Sequence, residues 1–119
     1  MSGPLSIDQV MGRALNGLAL RQRVIANNVA NVDTPGFKSS EVRFEQLLAQ
    51  AAQRGLPGNA PEAEVVTNTD TSLRDDGNNV DIEQQMLHLS ETAITYIALS
   101  RLETSRLSLL KTVATEGKR

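Results

Sequence analysis

Apolar residues recur near the start of the chain at Ile7, Met11, Leu15, Leu18, Ile25, Val29 and Val32. With Gln22 as the one polar member, the steps alternate between three and four, an a/d-like seam of period near 3.5. Val10, Ala14 and Val24 widen the stripe. Ser6 and Gln9 have the spacing of a capping box, Leu5 and Val10 that of a hydrophobic staple, and Asp8 suits the positive helix end. The pattern predicts a helix over 6–32 that packs against another helix, of its own chain or of a neighbour. Gly12 and Gly17 each weaken it by roughly 1 kcal/mol relative to Ala, and suggest close approach of another backbone.

A second period appears at Phe44, Leu47, Leu48 and Ala51. It predicts a short helix over 41–54, ended by Gly55 and Pro57, after an extended or irregular Lys38–Val42. Residues 55–79 are rich in Gly, Pro, Asn, Asp and Thr and predict a long loop or linker. Within it Val65, Val66 and Thr67 can pair as a short strand. Asp70, Asp75 and Asp76 lack the alternating spacing and distal Glu of a calcium loop.

The third pattern is the longest. Asp81 is a good N-cap, with Glu83 and Gln84 in the first turn, and no Gly or Pro interrupts 82–114. Ile82, Met86, Leu89, Ala93, Tyr96, Leu107, Leu110 and Ala114 lie on one seam, through Ser100 and Glu103. Leu87, Ile94, Ile97, Leu99, Leu102, Leu109 and Val113 spread apolar surface to other sides. Lys111, Lys118 and Arg119 suit the negative helix end. A helix over 81–115 is on the order of 50 Å long, whereas a compact domain of this length spans about 35 Å. The expected fold is therefore all-α and elongated: an antiparallel, coiled-coil-like pair of long N- and C-terminal helices, a short middle helix and a long irregular loop, in one domain.

Between the first two patterns lies a turn at 33–40. Pro35 forces the helix to stop, and Pro35-Gly36 suits the centre of a type II turn from Thr34 to Phe37. Asn27 and Asn31 share a helix face, and Asn28 sits three before Asn31. Asn is a poor helix former, so this cluster is either a frayed, hydrated helix end or a polar seam whose amides bond a partner.

Ala26-Asn-Asn-Val-Ala-Asn-Val-Asp-Thr-Pro-Gly-Phe-Lys38 resembles the N-terminal motif of rod, hook and related axial proteins of the bacterial flagellum. Asp76-Gly77-Asn78-Asn79-Val80-Asp81, leading into the last helix, resembles the same family less specifically. Hook and distal rod proteins carry large inserted domains for which this chain has no room, so the resemblance is to the proximal rod proteins nearest the membrane (MS) ring. It implies a structural subunit that stacks helix pairs into a tubular drive shaft. It implies an assembly motif of Asn27, Asn28, Asn31, Thr34, Pro35, Gly36 and Phe37. Helix-seam contacts would come from Met11, Leu15, Leu18, Ile25, Val29, Leu89, Ala93, Tyr96, Leu107 and Leu110. The implied partners are other copies of the chain, other rod subunits, MS-ring and rod-junction proteins, and the flagellar type III export apparatus. The implied location is the periplasmic rod of the basal body, reached without a cleaved signal peptide. A soluble helical adaptor or export chaperone that binds one client helix is the alternative.

Composition narrows the chemistry. The 119 residues include only three aromatic rings, Phe37, Phe44 and Tyr96, so a core must rest on aliphatic side chains. Net charge is −2 with no basic stripe, which argues against nucleic acid. There is no cysteine, hence no disulfide or thiol chemistry. No apolar run is long enough to span a membrane. His88 is the only histidine and is expected on a partly exposed helix face. Without a nucleophile elbow, a phosphate-cradling loop or paired carboxylates, the chain is expected to be no enzyme, with no cofactor, metal or small-molecule substrate.

Overall fold

The computed structural model describes residues 3–55, 62–69 and 74–117. The elements in chain order are α1 (Ile7–Ala30), β1 (Ser40–Arg43), α2 (Glu45–Arg54), β2 (Glu64–Thr67) and α3 (Ile82–Glu116). Parts of the expected 55–79 loop, at 56–61 and 70–73, lie outside the described residues, as do Lys118 and Arg119.

α1 starts where its capping box dictates. The Ser6 Oγ accepts from the Gln9 N–H at 3.2 Å, and the Gln9 side chain accepts from the Ser6 N–H at 2.8 Å. α1 and α3 run antiparallel. Asn28 near the end of α1 bonds Gln85 near the start of α3, and Asp8 at the start of α1 pairs with Arg106. Met11, Leu18 and Ile25 of the seam are buried, and Leu15 and Val29 are half-buried. On α3, Leu89, Ala93 and Tyr96 are half-buried, whereas Leu107 and Leu110 are exposed.

The two helices are nearly flush at one end and staggered at the other. α3 has 35 residues and α1 has 24. Beyond Arg106, residues 107–116 run on for roughly 15 Å with no α1 beside them. The molecule measures 70 × 31 × 15 Å, with a radius of gyration of 18.5 Å, against about 13.5 Å for a compact chain of this length.

The mostly helical, elongated architecture follows the sequence pattern, and the short strand expected at 65–67 is present as β2 (Glu64–Thr67); the added element is its partner, β1. β1 and β2 form a two-stranded antiparallel sheet, Glu41 opposite Val66 and Arg43 opposite Glu64. The short helix therefore begins at Glu45 rather than at 41, because Ser40–Arg43 are held extended by that pairing. Phe44 is the residue before the helix, not part of its face. Its ring joins Leu18 and Val42 in the core, with Val24, Leu48, Tyr96 and Leu99 packed around. α2 buries Ala51 completely and ends at Gly55, φ +75°.

Gly17 is explained by this ring. A Cβ at position 17 would lie 2.5–2.7 Å from three Phe44 ring atoms. The close approach is by an aromatic side chain rather than the backbone the sequence suggests, and Gly12 faces open space. α1 stops at Ala30, before Pro35, with the Asn31 N–H shared between the Asn27 and Asn28 carbonyls.

Gly17→Ala is expected to destabilise the chain by about 1–3 kcal/mol, the usual cost of overpacking. Gly12→Ala should instead stabilise α1 slightly through helix propensity. Urea unfolding of the two variants checks the contrast.

Candidate functional site

The turn after α1 and the segment before α3 fold onto each other into one polar node. It is built around the two largest fully buried side chains, Asn28 and Asn78. The Asn28 amide works as a substitute strand. Its Oδ1 accepts from the Ser40 N–H at 3.0 Å and its Nδ2 donates to the Ser40 carbonyl at 2.8 Å. This closes the edge of β1 that β2 does not cover. Nδ2 also donates to Gln85 Oε1 at 2.9 Å. One amide thus joins α1, β1 and α3.

Asn78 caps α1 from 47 residues away. Its Nδ2 donates to the carbonyls of Asn31, Val32 and Thr34 at 2.8–3.1 Å, and its Oδ1 accepts from the Val80 N–H at 2.8 Å. The last carbonyls of a helix have no partner within it, and here one amide serves them. Asn79 extends the node: its Oδ1 accepts from the Ser39 N–H at 2.7 Å and its Nδ2 donates to the Asn68 carbonyl at 2.8 Å. Arg74 reaches the Val32 carbonyl, and Lys38 the Gly77 carbonyl.

Backbone shape supports these bonds. The Phe37 N–H donates to the Thr34 carbonyl at 3.2 Å with Gly36 at φ +74°, the expected type II arrangement. Gly36 N–H then donates to the Asp76 carbonyl at 2.8 Å. Gly77, φ +85°, lies against Gly36: a Cβ there would sit 3.5 Å from the Gly36 Cα. A side chain at 77 would be strained by its φ, although its Cβ would meet Gly36 only at ordinary contact distance.

The motif residues do not act alike. Asn28 is committed within its own chain. Asn31 turns back, donating to the Asn27 carbonyl at 2.8 Å and accepting from the Thr34 hydroxyl at 3.1 Å. Asn27, Thr34, Pro35 and Gly36 are exposed, and Phe37 is half-buried. Neither a frayed end nor a seam wholly for another chain describes the cluster. Asn78, Asn79, Gln85, Ser39 and Ser40 complete the node; the sequence marks Asn78 and Asn79 only as part of the family-like stretch before the last helix, and marks Gln85, Ser39 and Ser40 not at all. Adjacent asparagines just before a helix cap were the available signal.

A cleft of about 530 Å³ opens beside the node between α1, β1 and α3. On one wall Arg21 holds Glu45 through two bonds, of 2.7 and 2.8 Å, and donates to the Val42 carbonyl at 2.6 Å. Its guanidinium lies 4.6 Å from the Phe44 ring centre. The hydrogen bonds from Arg21 take the Glu45 carboxyl down to about 2. His88 and Glu91 line another wall. Among the described residues no three His, Asp or Glu gather as a metal site, and no helix is long and apolar enough to cross a membrane. The arrangement is built to fix a fold.

Asn28→Asp keeps an acceptor for Ser40 but loses both donated bonds. It is expected to lower stability by about 2–4 kcal/mol, from unsatisfied buried groups and an uncompensated charge. Thermal unfolding checks it, with exposed Asn27→Asp as the near-neutral control. Glu45 has a depressed folded pKa, so its pairing stabilises above the unfolded carboxylate range and fades as pH falls through that range toward about 2. The Tm gap between the native chain and Glu45→Gln should therefore be modest at neutral pH, because the Glu45 side chain is 64% exposed. The gap should close in strong acid.

A family model described as flagella basal body rod protein matches residues 9–38, which hold most of α1 and the turn. The chain is 35% identical over 121 aligned residues to the flagellar basal body rod protein FlgB of Bacillus subtilis, covering 92% of this chain and 94% of that protein. It is 33% identical to FlgB of Borrelia hermsii, over 83% of this chain and 87% of that one. Against FlgB of Escherichia coli it is 31% identical, over 75% and 79%. On this likeness along nearly its whole length, the chain belongs to the flagellar basal body rod protein family.

Proposed function

We propose that the chain is a structural subunit of the proximal flagellar rod, polymerising through its terminal helices and acting by assembly rather than catalysis. The observation that carries this reading is the inverted burial of α3. Its only buried residues are Gln85 and Thr92. Ile82, Met86, Leu87, Ile94, Ile97, Leu102, Leu107, Leu109, Leu110 and Val113 are all exposed. A stripe of that size, on more than one side of a helix, marks surface meant to be covered. An adaptor for one client helix would need one such seam.

In this reading Leu107 and Leu110, beyond the reach of α1, contact neighbouring subunits. The buried node holds the helix pair in shape while Asn27, Thr34 and Pro35 stay available at the flush end. The neighbours are other copies, other rod subunits, and MS-ring and rod-junction proteins. Delivery to the periplasmic rod is by the flagellar type III export apparatus.

Leu107→Asp with Leu110→Asp separates folding from assembly. Both residues are about half exposed in the isolated chain, so its stability should change by no more than about 1 kcal/mol for the two substitutions together. Cells carrying this variant as their sole copy should nevertheless lose motility and lack the chain in isolated basal bodies. Normal incorporation of the stable variant would overturn the proposed use of the terminal helices.

A further inference from the structure

We infer that the outer face of α3 docks antiparallel along the outer face of α1 in a second copy of this chain. The inference rests on the subunit reading above and specifies the contact. Leu87 and Ile94 stand one heptad apart, about 160° around α3 from Gln85 and Thr92, which face inward. They are 58% and 68% exposed. No described residue of the same chain covers them.

α1 offers a matching surface. Ala19 lines a shallow groove of about 400 Å³, with Asn16, Leu20, Arg23, Glu62 and Ala63 around it, the Glu62 carboxylate being paired with Arg13 at 3.5 Å. One heptad before Ala19 is Gly12, where an added Cβ would meet nothing within 4 Å. Seating Leu87 over Ala19 in antiparallel fashion sets Ile94 over Gly12, since both pairs are separated by about 10.5 Å along their helices.

The same register aligns charge. Glu83 lies four residues before Leu87, and Arg23 four residues after Ala19, so the two meet across the contact. Among the described residues neither side chain has a hydrogen-bond or ion-pair partner within the chain. This complementarity points to a second copy as the occupant. The two faces differ, so each copy that docks leaves one α1 face and one α3 face open. Such a heterologous contact repeats into a ring or helix rather than stopping at a dimer.

Cysteine pairs test the contact, because the chain has no cysteine of its own. Cells would carry, as their sole copy, Ala19→Cys with Leu87→Cys, or Gly12→Cys with Ile94→Cys. Gly12→Cys with Leu87→Cys, one heptad out of register, is the control. After oxidation, isolated basal bodies are run without reductant. The in-register pairs should give a ladder that continues past the dimer, with at least about tenfold more product than the control, since a shift near 10 Å exceeds disulfide reach. Arg23→Glu, added to an in-register pair, should reduce the ladder about fivefold, and Glu83→Arg should then restore it. Far-UV circular dichroism of each purified variant confirms folding. If the chain is present in basal bodies but in-register pairs give no more product than the control, this contact is wrong and the subunit reading stands. A ladder indifferent to both charge reversals overturns the register. If the unsubstituted chain is absent from basal bodies, the subunit reading fails and this inference with it.

Discussion

The side chain of Asn28 is fully buried, and its partners fix where α1 lies against α3. An apolar seam of period near 3.5 does not by itself select one alignment, because a slip of seven residues presents much the same side chains. Moving α3 by a heptad would break the Asn28–Gln85 bond and set the shorter Thr92 side chain opposite Asn28, at about 1–3 kcal/mol for each buried group left unsatisfied. Asn78 adds to the penalty by leaving the end of α1 uncapped. The buried node thus selects one register. With the flush end set there, the difference in helix length appears wholly at the other end, as the uncovered 107–116.

This explains which parts of the fold were legible in sequence. The long helices, their caps at Ser6 and Asp81, and the turn at Pro35-Gly36 depend on neighbours within a few residues, and the structure places them close to expectation. β1 depends on residues far away: β2 across the sheet and Asn28 on α1. The pattern allows an extended stretch at 38–42 and a strand at 65–67, but four residues with no strong alternation cannot announce that the two pair. Phe44 fitted the apolar spacing of a helix, but its ring is drawn to the gap left by Gly17, a pairing across 27 positions of sequence. The asparagines were legible as unusual but not as solved, because the Asn28–Gln85 bond spans 57 residues and the Asn78 caps span 44–47.

The division of labour within the molecule follows. The apolar core is small, centred on Leu18, Val42 and Phe44, and it sits with the polar node toward the flush end of the helix pair. Farther along, the pair is tied by Asp8 and Arg106. There the Asp8 carboxyl raises the pKa of Glu103 by hydrogen bonding and repulsion, and Glu103 Oε2 is buried with no hydrogen-bond partner among the described residues. This end is the less satisfied one. It is also where α3 continues alone, so the region with most to gain from a neighbour is the region its own chain supports least.

α3 has a further property suited to late burial. Thr92, Thr95, Thr104, Thr112 and Thr115 each donate their hydroxyl to the carbonyl four residues back, at 2.7–3.1 Å. Such back-bonding satisfies the hydroxyl locally. Of these five threonines only Thr92 is buried in the isolated chain. Covering the other four requires no new partner for their hydroxyl protons, so the usual penalty for burying a polar group is largely avoided. Meanwhile they break the apolar surface into narrower stripes, which limits indiscriminate association before assembly. A helix can therefore be polar enough to remain separate and still be nearly free of unsatisfied donors when packed. That combination is what a subunit needs if it folds its own node first and buries its outer faces only against a neighbour.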